Sequence, residues 1–412
     1  MTAPDPHPAI DAVWRIESPR LIAGLVRVVR DVGLAEDLAQ DALVAALETW
    51  PRTGVPENPA AWLMSTAKHR AIDQLRHGKT AQRVHEEIGA RPRPDEPEEN
   101  EFGDDMLRLI FMTCHPALAP EARVALTLRL LGGLTTDEIA RAYLVPEPTI
   151  AQRIVRAKKM LTEARAEFEV PQGAELSARL SSVLEVLYLI FNEGYAATAG
   201  EDWIRPGLCE DAQRLGRVLA ELVPGEPEVH GLVALMEIQA SRLRARIGPT
   251  GEPILLLDQN RGRWDPLLIR RGLAALQRGE AGDSRGPYML QAAIAACHAR
   301  ARTAAETDWA RIVALYGELG ALMPSPVIEL NRAVAVSMDS GPAAALEIVD
   351  GLVDDPSLRD YHLLPSVRAD FLQKLGRLEE ARVEFERAAS LTRNAREREL
   401  LLQRARSVIL RK

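Results

Sequence analysis

Residues 134–161 read LTTDEIARAYLVPEPTIAQRIVRAKKML, and within them Thr149, Gln152, Arg153 and Arg156 fall on one face of a helix with Lys159 at its edge. Such side chains can read DNA. In the major groove an arginine donates two hydrogen bonds to guanine, and a glutamine pairs with adenine. A helix has to carry them, and Ile150, Ile154, Ala157 and Leu161 supply its buried side about a third of a turn away. Upstream, Thr135 or Thr136 is placed to cap a short helix whose Ile139 and Ala140 point inward. Leu144, Val145 and Pro146 then form a turn. Pro146 and Pro148 are tolerated at the start of the second helix, because first-turn amides lack an intrahelical acceptor. The pattern is that of a helix-turn-helix with a cationic outer face. Thr149 can equally serve as an internal cap, and Arg156 or Lys159 can touch phosphate alone. An ordinary basic hairpin would show the same spacing.

Two earlier helical segments carry charge of opposite sign. In residues 35–50, AEDLAQDALVAALETW, Asp37, Gln40, Asp41, Val44 and Glu48 gather on one narrow face. That strip is either a solvated surface or a docking site for a basic partner helix. In residues 59–79, PAAWLMSTAKHRAIDQLRHGK, Trp62, Thr66, His69, Asp73 and Arg76 form a polar stripe opposite Leu63, Ala67 and Ala71. Lys68, Arg70, Arg76, Lys79 and Arg83 outnumber the lone Asp73, a local excess that phosphate binding uses and a solvated face also shows.

These segments sit in a chain of 412 residues, enough for two or three domains. Hydrophobic residues make up 47% and charged residues 27%, as in a folded globular protein. Aromatics are only 4%, and apolar spacings of three and four dominate over strand alternation, so the expected fold class is all-α. The net charge of -8 excludes a whole-chain field for nucleic acid, leaving only local patches. Three scattered cysteines argue against a disulfide framework or a thiolate metal cluster and fit a reducing cytoplasm. Neither a signal-peptide core nor a run near the ~18 apolar residues of a membrane span appears, so no membrane partner is expected. HExxH, Walker, GxSxG and Rossmann patterns are missing, and the pairs Cys114–His115 and Cys297–His298 lack a second half-site. The expectation is a non-enzyme with no metal and no cofactor.

Residues 90–105, ARPRPDEPEENEFGDD, hold three prolines and seven acidic side chains and are expected to form a flexible linker. A weaker break falls at Val170, Pro171, Gln172 and Gly173. The predicted domains are therefore 10–89, a linker over 90–105, 106–170, and 171–412. Near the end, Ala333, Ala345 and Val349 recur as Ala369, Ala381 and Phe385, and Gly341 is matched loosely by Gly376. A period of that length suggests stacked helical hairpins.

The order of an acidic helix with AEDLAQDAL, a basic helix with AWLMSTAKHRAIDQLR, an acidic linker and a helix-turn-helix resembles sigma factors of the extracytoplasmic-function type, over roughly residues 10–168. The resemblance implies two small helical sigma domains, known as regions 2 and 4, acting in the cytoplasm with core RNA polymerase and promoter DNA. It implies that Asp37, Gln40 and Asp41 dock on the β′ clamp helices, and that the polymerase β flap is a further contact. Lys68, His69, Arg70, Asp73 and Arg76 then correspond to residues that recognise and melt the minus-ten element. Thr149, Gln152, Arg153, Arg156 and Lys159 correspond to the minus-thirty-five reader. His69 replaces a frequent Asn, and Pro148 and Ala151 replace a frequent Gly and a frequent basic residue, so the promoter sequence does not carry over.

The remainder, residues 172–412, is similar to the group of this family with a C-terminal tetratricopeptide-like extension, and residues 186–219 resemble the start of that extension. NRAVAVSMDSGPAAALEIV and ADFLQKLGRLEEARVEFERAASL look like its hairpins. Asn192, Glu193, Tyr195, Trp203 and Arg205 are candidate contacts, with turn and core packing as the plain role. The extension is expected to regulate in cis or to bind a protein partner. The rival reading is a helix-turn-helix regulator with a repeat-type sensory domain, binding DNA without polymerase. It leaves the acidic strip and the first basic helix unexplained.

Overall fold

Helices α1 (His7–Val29), α2 (Val32–Thr53) and α3 (Pro59–His77) open the chain. The second and third start where a side chain accepts an otherwise unsatisfied amide: Leu34 N–H donates to Asp31 (2.8 Å) and Ala61 N–H to Asn58 (3.0 Å). On α2 the small residues Ala35, Ala39, Ala42 and Ala46 are fully buried, as is Leu38. The size of the alanines suits close packing with α1, which buries Leu21, Ile22 and Leu25. Trp50 and Trp62 meet edge to face, 5.3 Å between ring centres, joining α2 to α3.

The computed structural model describes residues 7–77, 99–143, 145–164, 166–281 and 285–409. Two compact units result, Met1–Leu187 and Tyr188–Lys412. Residues 90–98 of the expected linker lie outside the described residues. Its last part is helical instead: α4 (Glu99–Thr113) begins inside it. Asp105 explains why this acidic stretch can pack, since it is 1% exposed and pairs with Arg27 (3.3 Å) and Arg108 (2.8 Å). Two guanidinium groups replace the water that the composition argument assigned to it.

The first unit continues with α5 (Pro120–Leu130), α6 (Thr136–Tyr143) and α7 (Glu147–Glu163). Thr135 is the capping residue of α6. Its hydroxyl accepts from Glu138 N–H (3.1 Å), while Glu138 accepts from Thr135 N–H (2.8 Å), a reciprocal capping box. Helix α8 (Ala174–Tyr195) crosses the division between the units. Its first half belongs with the first unit, where Arg123 pairs with Glu185 (3.3 Å) and Arg179 donates to the Phe111 carbonyl (3.4 Å).

The second unit is a succession of helices in which chain neighbours pack on one another. They are α9 (Pro206–Leu222), α10 (Pro227–Ala240), α11 (Pro266–Glu280), α12 (Pro287–Arg300), α13 (Trp309–Leu322), α14 (Pro326–Asp339), α15 (Pro342–Asp350), α16 (Leu363–Lys374), α17 (Leu378–Leu391) and α18 (Ala395–Ile409). The repeated residues Ala333, Ala345, Val349, Ala369, Ala381 and Phe385 are each 0% exposed and share one core. Gly341 (φ 99°) and Gly376 (φ 76°) sit at the turns between the helices of the two hairpins, with backbone angles that a side chain disfavours. Among the described residues the strands are two short ones, β1 (Ala199–Gly200) and β2 (Arg393–Asn394), paired in parallel. Buried Asn394 secures them by donating to the carbonyls of Ala197 (3.1 Å) and Asp202 (2.8 Å).

Candidate nucleic-acid and polymerase interface

Helix α7 buries Ile150, Ile154, Ala157 and Leu161 and turns Gln152, Arg156 and Lys159 outward. Thr149 and Arg153 are half-buried beside them. The helix is capped at Pro146 without a side-chain hydrogen bond; Pro148 has no amide hydrogen, and the Thr149 N–H donates to the Pro146 carbonyl (2.9 Å). Lys159 lies 3.6 Å from Glu163 on the exposed surface, a weak pair that an incoming phosphate can displace. The arrangement offers one carboxamide and several cations from a single rigid element. A duplex groove can accept that geometry.

On α3, His69 is exposed and its Nδ1–H donates to the Ser65 carbonyl (2.7 Å), which fixes the ring against the helix and leaves Nε2 outward. Lys68 is half-buried, Asp73 is exposed, and the side chain of Arg76 lies outside the described residues. Arg70 reaches across to Asp41 of α2 at 3.4 Å. Thus one residue expected to touch DNA pairs with one expected to touch polymerase. Both are about half exposed (40% and 51%), so this bridge is weak and opens readily.

Asp37 of α2 is exposed, whereas Gln40 donates to Glu36 (2.7 Å). Glu36 was missed by the wheel reading. It is 4% exposed, accepts from Arg129 Nε of α5 at 2.6 Å, and pairs with Lys158 of α7. Burial alone pushes its carboxyl up, yet Lys158 and Arg129 outweigh burial and hold it below the usual carboxylate range. A signal was available: Glu36 lies one step past Gln40 on the wheel, beside Leu43 and Leu47, where an acid needs an internal partner. The triad ties the helix of the acidic strip to the helix-turn-helix.

The motif residues of the second unit have structural partners. Glu193 pairs with Arg205 and accepts from Thr198 Oγ1 (2.9 Å), which braces the loop after α8. Gly194 is needed for close approach, because a Cβ there would lie 2.7 Å from the Cys209 amide nitrogen. Cys114 is buried with its thiol pushed up by burial, so its neighbour His115 does not gain a thiolate partner. Among the described residues no cluster of three or more His, Cys, Asp or Glu could hold a metal ion, and no helix is long and apolar enough to cross a membrane.

Comparison with known proteins divides the chain in the same order. Residues 14–80 match sigma-70 region 2, residues 108–161 match sigma-70 region 4, and residues 179–280 match a family of unknown function (DUF6596). An uncharacterized protein of Rhizobium meliloti is 42% identical over 395 residues, covering 94% of this chain and 93% of the relative. A probable RNA polymerase sigma-C factor of Mycobacterium bovis is 30% identical over 151 residues, 36% of this chain and 75% of the relative. A probable ECF RNA polymerase sigma factor SigI of Mycobacterium tuberculosis is 25% identical over 250 residues, 55% of this chain and 86% of the relative. No solved structure matches the chain.

Proposed function

Since the chain belongs to the extracytoplasmic-function sigma factors and is an alternative sigma factor, we propose how its parts divide the work of promoter recognition. Sigma factors of this kind bind core RNA polymerase and promoter DNA and make no bonds themselves, so each role is one of contact and positioning.

In this reading, residues 10–89 form region 2, 90–105 the connection, 106–170 region 4, and 171–412 the extension. Asp37, Gln40 and Asp41 dock on the β′ clamp helices, and region 4 contacts the β flap. Lys68, His69, Arg70, Asp73 and Arg76 capture the minus-ten strand, where cations follow the displaced backbone. Thr149, Gln152, Arg153, Arg156 and Lys159 read the minus-thirty-five duplex. The observation that carries this assignment is the outward face of α7, where Gln152, Arg156 and Lys159 are exposed over a buried apolar side. The Glu36 triad supports a coupling between the two steps. Arg129 and Lys158 hold the helix that presents the docking strip, so polymerase docking and this internal clasp act on one helix.

The helical extension is read as a tetratricopeptide-like module that regulates the sigma domains in cis or holds a protein partner. The two glycine-turned hairpins with a shared core support it.

Co-purification with core polymerase, followed by sequencing of transcript starts, tests the main reading. Start sites that depend on this chain are expected, and failure to associate with core polymerase refutes it. A gel shift on the promoter so found should need polymerase; tight binding by the free protein would favour a helix-turn-helix regulator. For the extension, residues 1–170 are compared with the full chain in transcription, and equal activity in cells and in vitro removes the cis role.

A further inference from the structure

In the second unit one buried arginine lacks, among the described residues, an acid of the kind that pairs with Arg205 and with the half-exposed Arg217. Elsewhere the fold provides an acid: Arg205 pairs with Glu193, and Arg217 pairs at 2.7 Å with Glu237, which is 1% exposed. Arg242, just past the end of α10, is 7% exposed, yet among the described residues no carboxylate pairs with it and its Nε has no hydrogen-bond partner. Around it are ring faces and more positive charge. Its guanidinium centre lies 5.7 Å from the ring centres of both Tyr195 and Trp264. Arg246 stacks 3.7 Å from the Tyr195 ring centre and 5.5 Å from that of Trp203.

Arg261 approaches the Trp264 ring at 4.9 Å, but its donors are committed to the carbonyls of His298 (2.7 Å) and Ala301 (2.6 Å) and to Thr307 Oγ1 (2.9 Å). It holds loops together. Arg246 gives one Nη to the Tyr195 carbonyl (3.1 Å), and its Nε is unpartnered. Trp264, 5% exposed, has an unpartnered Nε1, and His298, 8% exposed, an unpartnered Nδ1. Burial first, then Arg242 and Arg261, pushes His298 down to about 3, so it adds no charge at neutral pH. A guanidinium stays protonated in proteins, and ring faces alone are a poor substitute for the water and counter-ion that burial removes.

We propose that Arg242 and Arg246 bind the oxyanion of a small molecule, a carboxylate or a phosphate, beside the rings of Tyr195, Trp203 and Trp264. The Nη groups of Arg242 supply the planar, charge-assisted donors that match either group, and Arg246 adds a second guanidinium beside them. All its residues belong to the second unit, and the site does not rest on the promoter and polymerase roles proposed above. It falls within the segment matching the family of unknown function, for which it would supply a ligand.

The test is a titration of the full-length protein with inorganic phosphate and, separately, with citrate, against sodium chloride at matched ionic strength. Tryptophan fluorescence and the melting temperature are read. A saturable response to either probe is expected: phosphate alone assigns a phosphate ligand, citrate alone a carboxylate, and both an unselective oxyanion site. Arg242→Met should weaken the apparent affinity by about tenfold or more and melt no lower in chloride, since it removes an unpaired buried charge. Arg246→Gln, followed by fluorescence, should weaken binding in the same direction and serves if the first variant does not fold. Arg217→Met should leave binding unchanged. Responses no larger than those in chloride, or full binding by both arginine variants at the site, would overturn the proposal.

Discussion

Replacing Glu36 with Gln keeps the shape of the side chain and removes the charge that Arg129 and Lys158 share. The carboxylate is 4% exposed and each cation side chain 21% exposed, so the triad is largely but not wholly out of water. Breaking a fully buried pair typically costs about 3 to 5 kcal/mol, and the access of both cations to solvent brings the expectation down to about 2 to 3 kcal/mol. Since 1.4 kcal/mol is a factor of ten, opening of the contact should become about 30 to 150 times more frequent. Hydrogen exchange of α7 amides in the full chain measures this, corrected for intrinsic exchange rates. A cycle with Lys158→Met isolates the pair, and the two substitutions should be non-additive. The pH dependence has a definite sign. The folded carboxyl titrates below its unfolded value, so the contribution is complete above the unfolded pKa and is lost as pH falls through the folded one. Unchanged α7 exchange at neutral pH, or strictly additive effects, would refute the reasoning.

Three further outcomes follow from individual side chains. Replacing Arg153 and Arg156 together by Ala should weaken upstream promoter recognition by about 1 to 3 kcal/mol if one of them makes a two-pronged base contact, measured by transcription from promoters altered upstream; unchanged promoter use would remove both from the reading face. Gly194→Ala places a methyl group 2.7 Å from the Cys209 backbone nitrogen, which should lower stability by about 1 to 3 kcal/mol in a melting experiment. Phe385→Ala empties a fully buried site in the core shared by α16, α17 and their neighbours and should cost about 3 to 5 kcal/mol in denaturant unfolding of the second unit.

Much of the architecture was legible because helix periodicity and capping are local. The cap of α6, left open between Thr135 and Thr136 and found at Thr135, the proline start of α7 and its buried stripe all depend on residues within a few positions of one another. The paired set Ala333, Ala345, Val349 and Ala369, Ala381, Phe385 was visible for a related reason: a repeated hairpin buries the same positions each time. Composition failed where distant residues intervene. The acidic stretch ending at Asp105 reads as linker until Arg27 and Arg108 are placed beside it.

The outward polar face of α7 and the acidic strip of α2 were therefore legible in the sequence alone, since each is one helix seen from its own pattern. Only the tertiary structure decided that Glu36 clasps Arg129 and Lys158, 93 and 122 residues downstream, and that Arg242 is buried among rings without an acid among the described residues. Charge pairing and desolvation depend on which side chains converge through space, and spacing along a chain carries no record of that convergence.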